Sequence, residues 1–126
     1  MPNDTLKIES CGLDLDQSVF PPNEAVQAAT KFGVDLGNHR SNGLHDRNFT
    51  DVDIVIPMQY VQWRRLIAMS PENRDKIVLL RDFASFPDNL ICNIYDPYGQ
   101  GQEQFNRCFG LMEKALKGLM RRIGAD

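Results

Sequence analysis

Asp96-Pro97-Tyr98 is the group in this sequence best suited to chemistry. Proline confines its predecessor to an extended backbone, so Asp96 is expected to project from its loop rather than fold into a helix. A carboxyl held that way beside an aromatic ring can give and take a proton as a general acid. Asp-Pro also opens ordinary turns, and both readings stand on the tripeptide alone. His39-Arg40-Ser41 is the next candidate, as a structural hydrogen-bonder or as a participant in catalysis. His39 and His45 lie six apart in a polar stretch with no cysteine pair or carboxylate pattern beside them, which argues against a metal site.

The sequence has three cysteines, Cys11, Cys92 and Cys108, as candidate nucleophiles. Thiol-based phosphate chemistry needs a lowered thiol pKa, supplied by a ring of backbone amides and an arginine, with the spacing Cys-x5-Arg. The sixth residue after each cysteine is Gln17, Tyr98 and Lys114 respectively, never arginine. Cys108 falls on the apolar stripe of the last predicted helix and reads as a small core residue, and Cys11 and Cys92 read as spectators. No Gly-rich nucleotide loop and no Gly-x-Ser-x-Gly elbow is present.

The elements that must position these groups follow from periodicity. Leu6–Ser10 alternates as a short strand and stops at Cys11-Gly12. Asn23 is expected to cap a helix running to about Phe32, with Gly33 ending it. Asp53–Pro57 and Ile77–Leu80 read as apolar strands flanking a helix over Met58–Met69. A loop from Arg81 to about Gly101 carries Asp96, and a helix follows from about Gln102 to Ile123. Its apolar stripe is Phe105, Cys108, Phe109, Met112, Leu116, Leu119, Met120 and Ile123. Alternating strands and helices predict a three-layer α/β fold with a small, mostly parallel sheet. Active groups of such folds gather at the C-terminal strand ends, which brings Ser10, Pro57 and the Leu80–Tyr98 loop to one rim.

With 126 residues, the whole chain, 1–126, is read as a single domain. Its net charge of -3 excludes the large basic field of a nucleic-acid binder. Lys114, Lys117, Arg121 and Arg122 read as a solvated helix face. An odd cysteine count at wide spacing points to a reducing compartment, and Met1-Pro2-Asn3-Asp4 has no signal-peptide character. No apolar run nears the ~20 residues of a membrane span, so a cytoplasmic location is expected.

Taken in order, these segments resemble the low-molecular-weight protein-tyrosine-phosphatases. The resemblance is carried by Ile8-Glu9-Ser10-Cys11-Gly12, by Pro22-Asn23-Glu24-Ala25 and Phe32-Gly33-Val34-Asp35-Leu36, and by His39-Arg40-Ser41 with Leu44. It continues through Asp53-Ile54-Val55-Ile56-Pro57-Met58, Ile77-Val78-Leu79-Leu80, and Asp96-Pro97-Tyr98-Gly99 with Phe105 behind it. It implies that Asp96 is the general acid that protonates a leaving phenolate, and that Tyr98 walls the substrate cleft. Ser10 and His39 would hold the shape of the phosphate loop. No metal or organic cofactor is implied, and the substrate would be a phosphotyrosine protein or a small aryl phosphate.

The sequence departs from that pattern. The family opens with an apolar strand, a Cys-x5-Arg-Ser phosphate loop and a helix, and nothing of this kind precedes Leu6. Gln59 stands where the family is usually acidic, and Leu13–Gln17 offers no clear aromatic wall. The family's strand order sets the first strand between those matching Leu6–Ser10 and Asp53–Pro57, so its loss is expected to leave two open edges. The expectation is an N-terminally truncated, inactive phosphatase domain, with Met1 an internal residue of a longer parent. A non-catalytic interaction module, pairing through exposed sheet edges as a homo-oligomer or with another chain, is the alternative. An arsenate reductase-like reading is weaker, because no resolving cysteine pairs with Cys92 at a convincing spacing.

Overall fold

The last helix is the longest element among the described residues. In a computed structural model, which describes residues 6–15, 17–44, 49–91 and 93–124, it spans Gln102–Ile123. We number the helices α1 (Asn23–Lys31), α2 (Tyr60–Met69) and α3 (Gln102–Ile123). Short 3-10 turns lie at Phe49–Asp51, Pro71–Lys76, Leu80–Phe83 and Asp88–Leu90. Both ends of α3 fall where the pattern placed them, and Gly124 closes the helix at φ 71°, a left-handed conformation that a side chain disfavours.

α3 packs on α1 along one side and on the Leu80–Phe83 turn along another. Against α1, Phe105 and Phe109 meet Ala25 and Ala28, and Gln102 Nε2 donates to the Glu24 carbonyl at 2.9 Å. Around the Leu80–Phe83 turn, Cys108 and Ala115 join Leu80, Ala84 and Ile94, with Ile56 and Met112 alongside. A third cluster sets Leu44, Phe49, Leu66 and Ile77 beneath Leu13, Val55, Trp63 and Ile67. The stripe on α3 needs a correction, since Leu116 is 46% and Ile123 40% exposed, while Ala115, Gly118 and Leu119 are buried. Small residues let the Leu80–Phe83 turn approach α3 closely, so the contact follows Ala115 and Gly118 rather than the largest apolar side chains.

The helix starts are also corrected. Pro22, not Asn23, occupies the cap of α1, and Asn23 is already its first residue with no side-chain cap bond. Proline's fixed φ suits that junction. α2 begins at Tyr60 rather than Met58, because Gln59 and Gln62 cap it reciprocally.

Sheet structure is far sparser than the sequence pattern suggests. Among the described residues, pairing is limited to three isolated bridges: Gly12 with Gly43 and Val55 with Ile77, both parallel, and Val19 with Ser41, antiparallel. The Val55–Ile77 contact carries the predicted second and third strands: Val55 N–H donates to Lys76 O, Val78 N–H to Val55 O and Leu80 N–H to Pro57 O. Leu6–Ser10 forms no ladder, and Ile8 is 78% exposed. Alternation favours extended backbone, but a strand requires a neighbour for its amides and carbonyls. No bridge involves residues 6–10 among the described residues, and the first is at Gly12.

Candidate functional site

The acid-loop candidate is built on the end of the Val55–Ile77 pairing. Ile94 N–H donates to Met58 O at 2.8 Å and buries its side chain in the core. Asn93 reinforces this junction: its Oδ1 accepts from the Tyr60 amide at 2.6 Å and its Nδ2 donates to the Tyr95 hydroxyl at 3.0 Å. The start of α2 and the approach to Asp96 are thus fastened by one side chain. Sequence reading missed Asn93, since its two bonds link residues 33 and 2 positions apart. The available signal was polar Asn93 and Tyr95 flanking buried Ile94.

Asp96 sits in a turn of its own making. The Tyr98 amide donates to Asp96 Oδ1 at 3.0 Å, and the Gln100 amide donates to Pro97 O at 2.9 Å. Gly99, at φ 77°, and Gly101, at φ 95°, let the chain turn back into α3. The carboxylate is exposed and its rotamer is held through one oxygen. Among the described residues Oδ2 takes no hydrogen bond, so a proton can be carried there. The turn and general-acid readings of Asp-Pro are therefore compatible in geometry. Tyr95 and Tyr98, before and after Asp96 in the chain, are both exposed.

Cys108 lies close behind this loop, its Sγ 3.7 Å from Tyr95 O. Burial pushes the thiol above its ordinary value, and the negative charge of Asp96 pushes it the same way. This is the reverse of what a thiolate nucleophile needs. Cys11 is exposed, in the segment before Gly12. Cys92 and His45 lie outside the described residues.

Ser10 and His39 sit in neighbouring segments. Gly12 N–H donates to Asn42 O at 2.7 Å and Leu44 N–H to Gly12 O at 3.0 Å, so the residues that follow Ser10 and those that follow His39 meet at one parallel bridge, Gly12 with Gly43. Both residues are exposed, and the His39 amide donates to Leu36 O. Neither side chain bonds to Asp96 or Tyr98 among the described residues. The following Gly12–Leu15 turn leans instead on α2, where Arg65 Nη1 pairs with Asp14 at 2.9 Å. Arg40 stacks over the Phe20 ring, 3.8 Å from its centroid. No group of three or more His, Cys, Asp or Glu able to hold a metal occurs among the described residues, and no described helix is long and apolar enough to cross a membrane.

The arrangement has counterparts among solved structures. The low molecular weight protein tyrosine phosphatase from T. tengcongensis superposes with a TM-score of 0.78 at 23% identity, over 90% of this chain and 76% of that one. Vibrio vulnificus Wzb, solved with benzylphosphonate, gives 0.67 at 26% identity over 80% and 66%. The fold is thus of the α/β tyrosine-phosphatase type. The low molecular weight protein-tyrosine-phosphatase Wzb of Escherichia coli (strain K12) is 27% identical over 121 residues, 96% of this chain and 79% of that protein. The family model for low molecular weight phosphotyrosine protein phosphatase matches residues 3–126, and the chain belongs to that family.

Proposed function

We propose that this chain is the acid-loop portion of a phosphatase acting on phosphotyrosine or related aryl phosphates, and that alone it does not turn over. The observation that carries the reading is Asp96, fixed through Oδ1 in a rim turn with Oδ2 open, in a chain without Cys-x5-Arg. The benzylphosphonate bound to the Vibrio vulnificus relative has the form of an aryl ester substrate and supports the same substrate class.

In the complete reaction a cysteine thiolate attacks phosphorus and the bond to the phenolate oxygen breaks. Asp96, protonated, gives its proton to that oxygen as it leaves. The Asp96 carboxylate then takes a proton from water, which attacks the phosphocysteine and releases phosphate and thiolate. Tyr98 walls the cleft, and Ser10 and His39 hold the phosphate loop in shape. The strand and phosphate loop belong ahead of Leu6, between Leu6–Ser10 and Asp53–Pro57 in a three-layer single domain of a cytoplasmic protein. Exposed Leu6, Ile8 and Ile54 support that placement.

The test uses these residues joined behind a strand–loop–helix segment bearing Cys-x5-Arg. Asp96→Asn is expected to lower kcat about 10²–10⁴-fold, with the larger loss on phenyl phosphate, whose leaving group needs the proton more than that of p-nitrophenyl phosphate. An equal loss on both esters, or no loss, would remove Asp96 from the role.

The same exposed apolar residues favour a second reading, an interaction module whose open face pairs with another copy. Sedimentation separates the two: the module reading expects a concentration-dependent dimer, and a monomer at tens of micromolar is the outcome the phosphatase reading expects.

A further inference from the structure

We propose that the outer face of α2 is a docking surface for an acidic peptide segment flanking the phosphotyrosine of a protein substrate. The proposal rests on the phosphatase reading for the identity of the peptide, but the surface has its own physical basis. Tyr60, Arg64 and Ala68 recur every fourth residue along α2 and so share one stripe. Two open clefts flank Arg64 on this stripe. One is lined by Tyr60, Trp63, Arg64, Ile67, Ala68 and Arg74, and it holds the indole and both guanidiniums; the other, on the far side of Arg64, is lined by Tyr60, Val61, Arg64, Arg65 and Ala68.

The floor of the surface is rigid. Trp63 Nε1 donates to Ile77 O at 3.0 Å, which locks the indole to the core. The Tyr60 ring stacks on it with centroids 5.5 Å apart and planes at 19°. Flat, immobilised aromatic surface gives contact area at small entropic cost. Both clefts are too open to enclose a small molecule, which favours an extended chain lying across them.

Charge selects the chain. The protein as a whole is acidic at -3, yet α2 carries two arginines and no acidic residue. Arg65 is occupied by Asp14, whereas Arg64 and Arg74 are exposed and make no ion pair among the described residues. Two free guanidiniums beside an aromatic floor suit carboxylates, which they can bind bidentately. The surface is also continuous with the acid loop, since Asn93 joins the Tyr60 amide to Tyr95, next to Asp96. In the proposed docking, a peptide leaving Asp96 and Tyr98 passes over this junction to the start of α2.

Trp63 is the sole tryptophan, so its fluorescence reports the cleft directly. The test titrates the chain with a peptide in which one tyrosine is flanked by Asp and Glu, and with its basic-flanked counterpart. The acidic peptide is expected to shift Trp63 emission, and to bind at least tenfold more weakly at 300 mM than at 50 mM salt (roughly, from screening of exposed charges). Arg64→Glu/Arg74→Glu is expected to weaken it at least tenfold, and Arg64→Lys/Arg74→Lys to retain most of it. The unliganded emission and far-ultraviolet dichroism of both variants should match the parent, which separates docking from folding. Equal affinity for the Glu variant would overturn the proposal, as would binding that leaves Trp63 unmoved or a preference for anionic vesicles or nucleic acid. The peptide is unphosphorylated, so its binding is read independently of catalysis. The Asp96→Asn comparison on small esters, which carry no flanking peptide, fails or succeeds independently of it.

Discussion

Joined behind a strand–loop–helix segment that carries Cys-x5-Arg, these 126 residues are expected to hydrolyse an aryl phosphate ~10⁴-fold or more faster than they do alone. The magnitude follows from what each part supplies. General acid catalysis by a placed carboxyl contributes only about 10²–10⁴, and only when a nucleophile is attacking at the same moment. Without a thiolate and its anion cradle, a proton donor at Asp96 has no developing phenolate to meet. The isolated chain should therefore match the buffer rate at mildly acidic pH. It should do so equally with Asp96→Ala and with all three cysteines changed to serine. The available thiols cannot rescue it: Cys108 is buried with its pKa raised, and no cysteine has an arginine six residues on. A rate that falls on changing Cys11 or Cys92 would overturn this.

Gly118→Ala is the substitution expected to damage the fold most. α3 meets the Leu80–Phe83 turn so closely that a Cβ at position 118 would lie 1.8 Å from the Phe83 carbonyl oxygen. That atom is backbone in a 3-10 turn and cannot rotate aside, so helix and turn must separate, disturbing Leu80, Ala84, Cys108 and Ala115 together. Overpacking of this kind costs about 3 kcal/mol at the upper end of its usual range, roughly 10 °C in Tm for a chain of this size. Gly110→Ala is the internal control. A Cβ there meets only Phe32 at 3.9 Å, an ordinary contact. The gain in helix propensity, up to about 1 kcal/mol, should therefore raise stability. Thermal or urea denaturation of the two variants checks both signs. Similar effects at positions 110 and 118 would show that α3 does not lie against the turn.

The helices were legible in the sequence because their information is local. Residues 102–123 repeat apolar side chains at helical spacing and stop at a glycine with positive φ, and the helix ends there. Asp96-Pro97 announced a projecting carboxylate, and Tyr98 N–H fixes it. What could not be read depends on partners distant in the chain. Leu6–Ser10 has a strand's alternation but no ladder, since alternation says nothing about which segment lies alongside. Asn93 looks like any loop asparagine until the Tyr60 amide is brought to it. Leu116 and Ile123 belong to an apolar stripe that the described residues leave partly uncovered, while Gly118 makes the close contact. Pattern identifies an apolar face, and only packing decides what meets it.

Whether any thiol of this chain can accept a phosphoryl group is the question on which its role turns. Incubating the 126 residues with p-nitrophenyl phosphate, quenching in acid and weighing the intact protein answers it. The expected spectrum shows the unmodified mass alone. A species heavier by one phosphoryl group, mapped to Cys11, Cys92 or Cys108, would mean that the nucleophile was present all along.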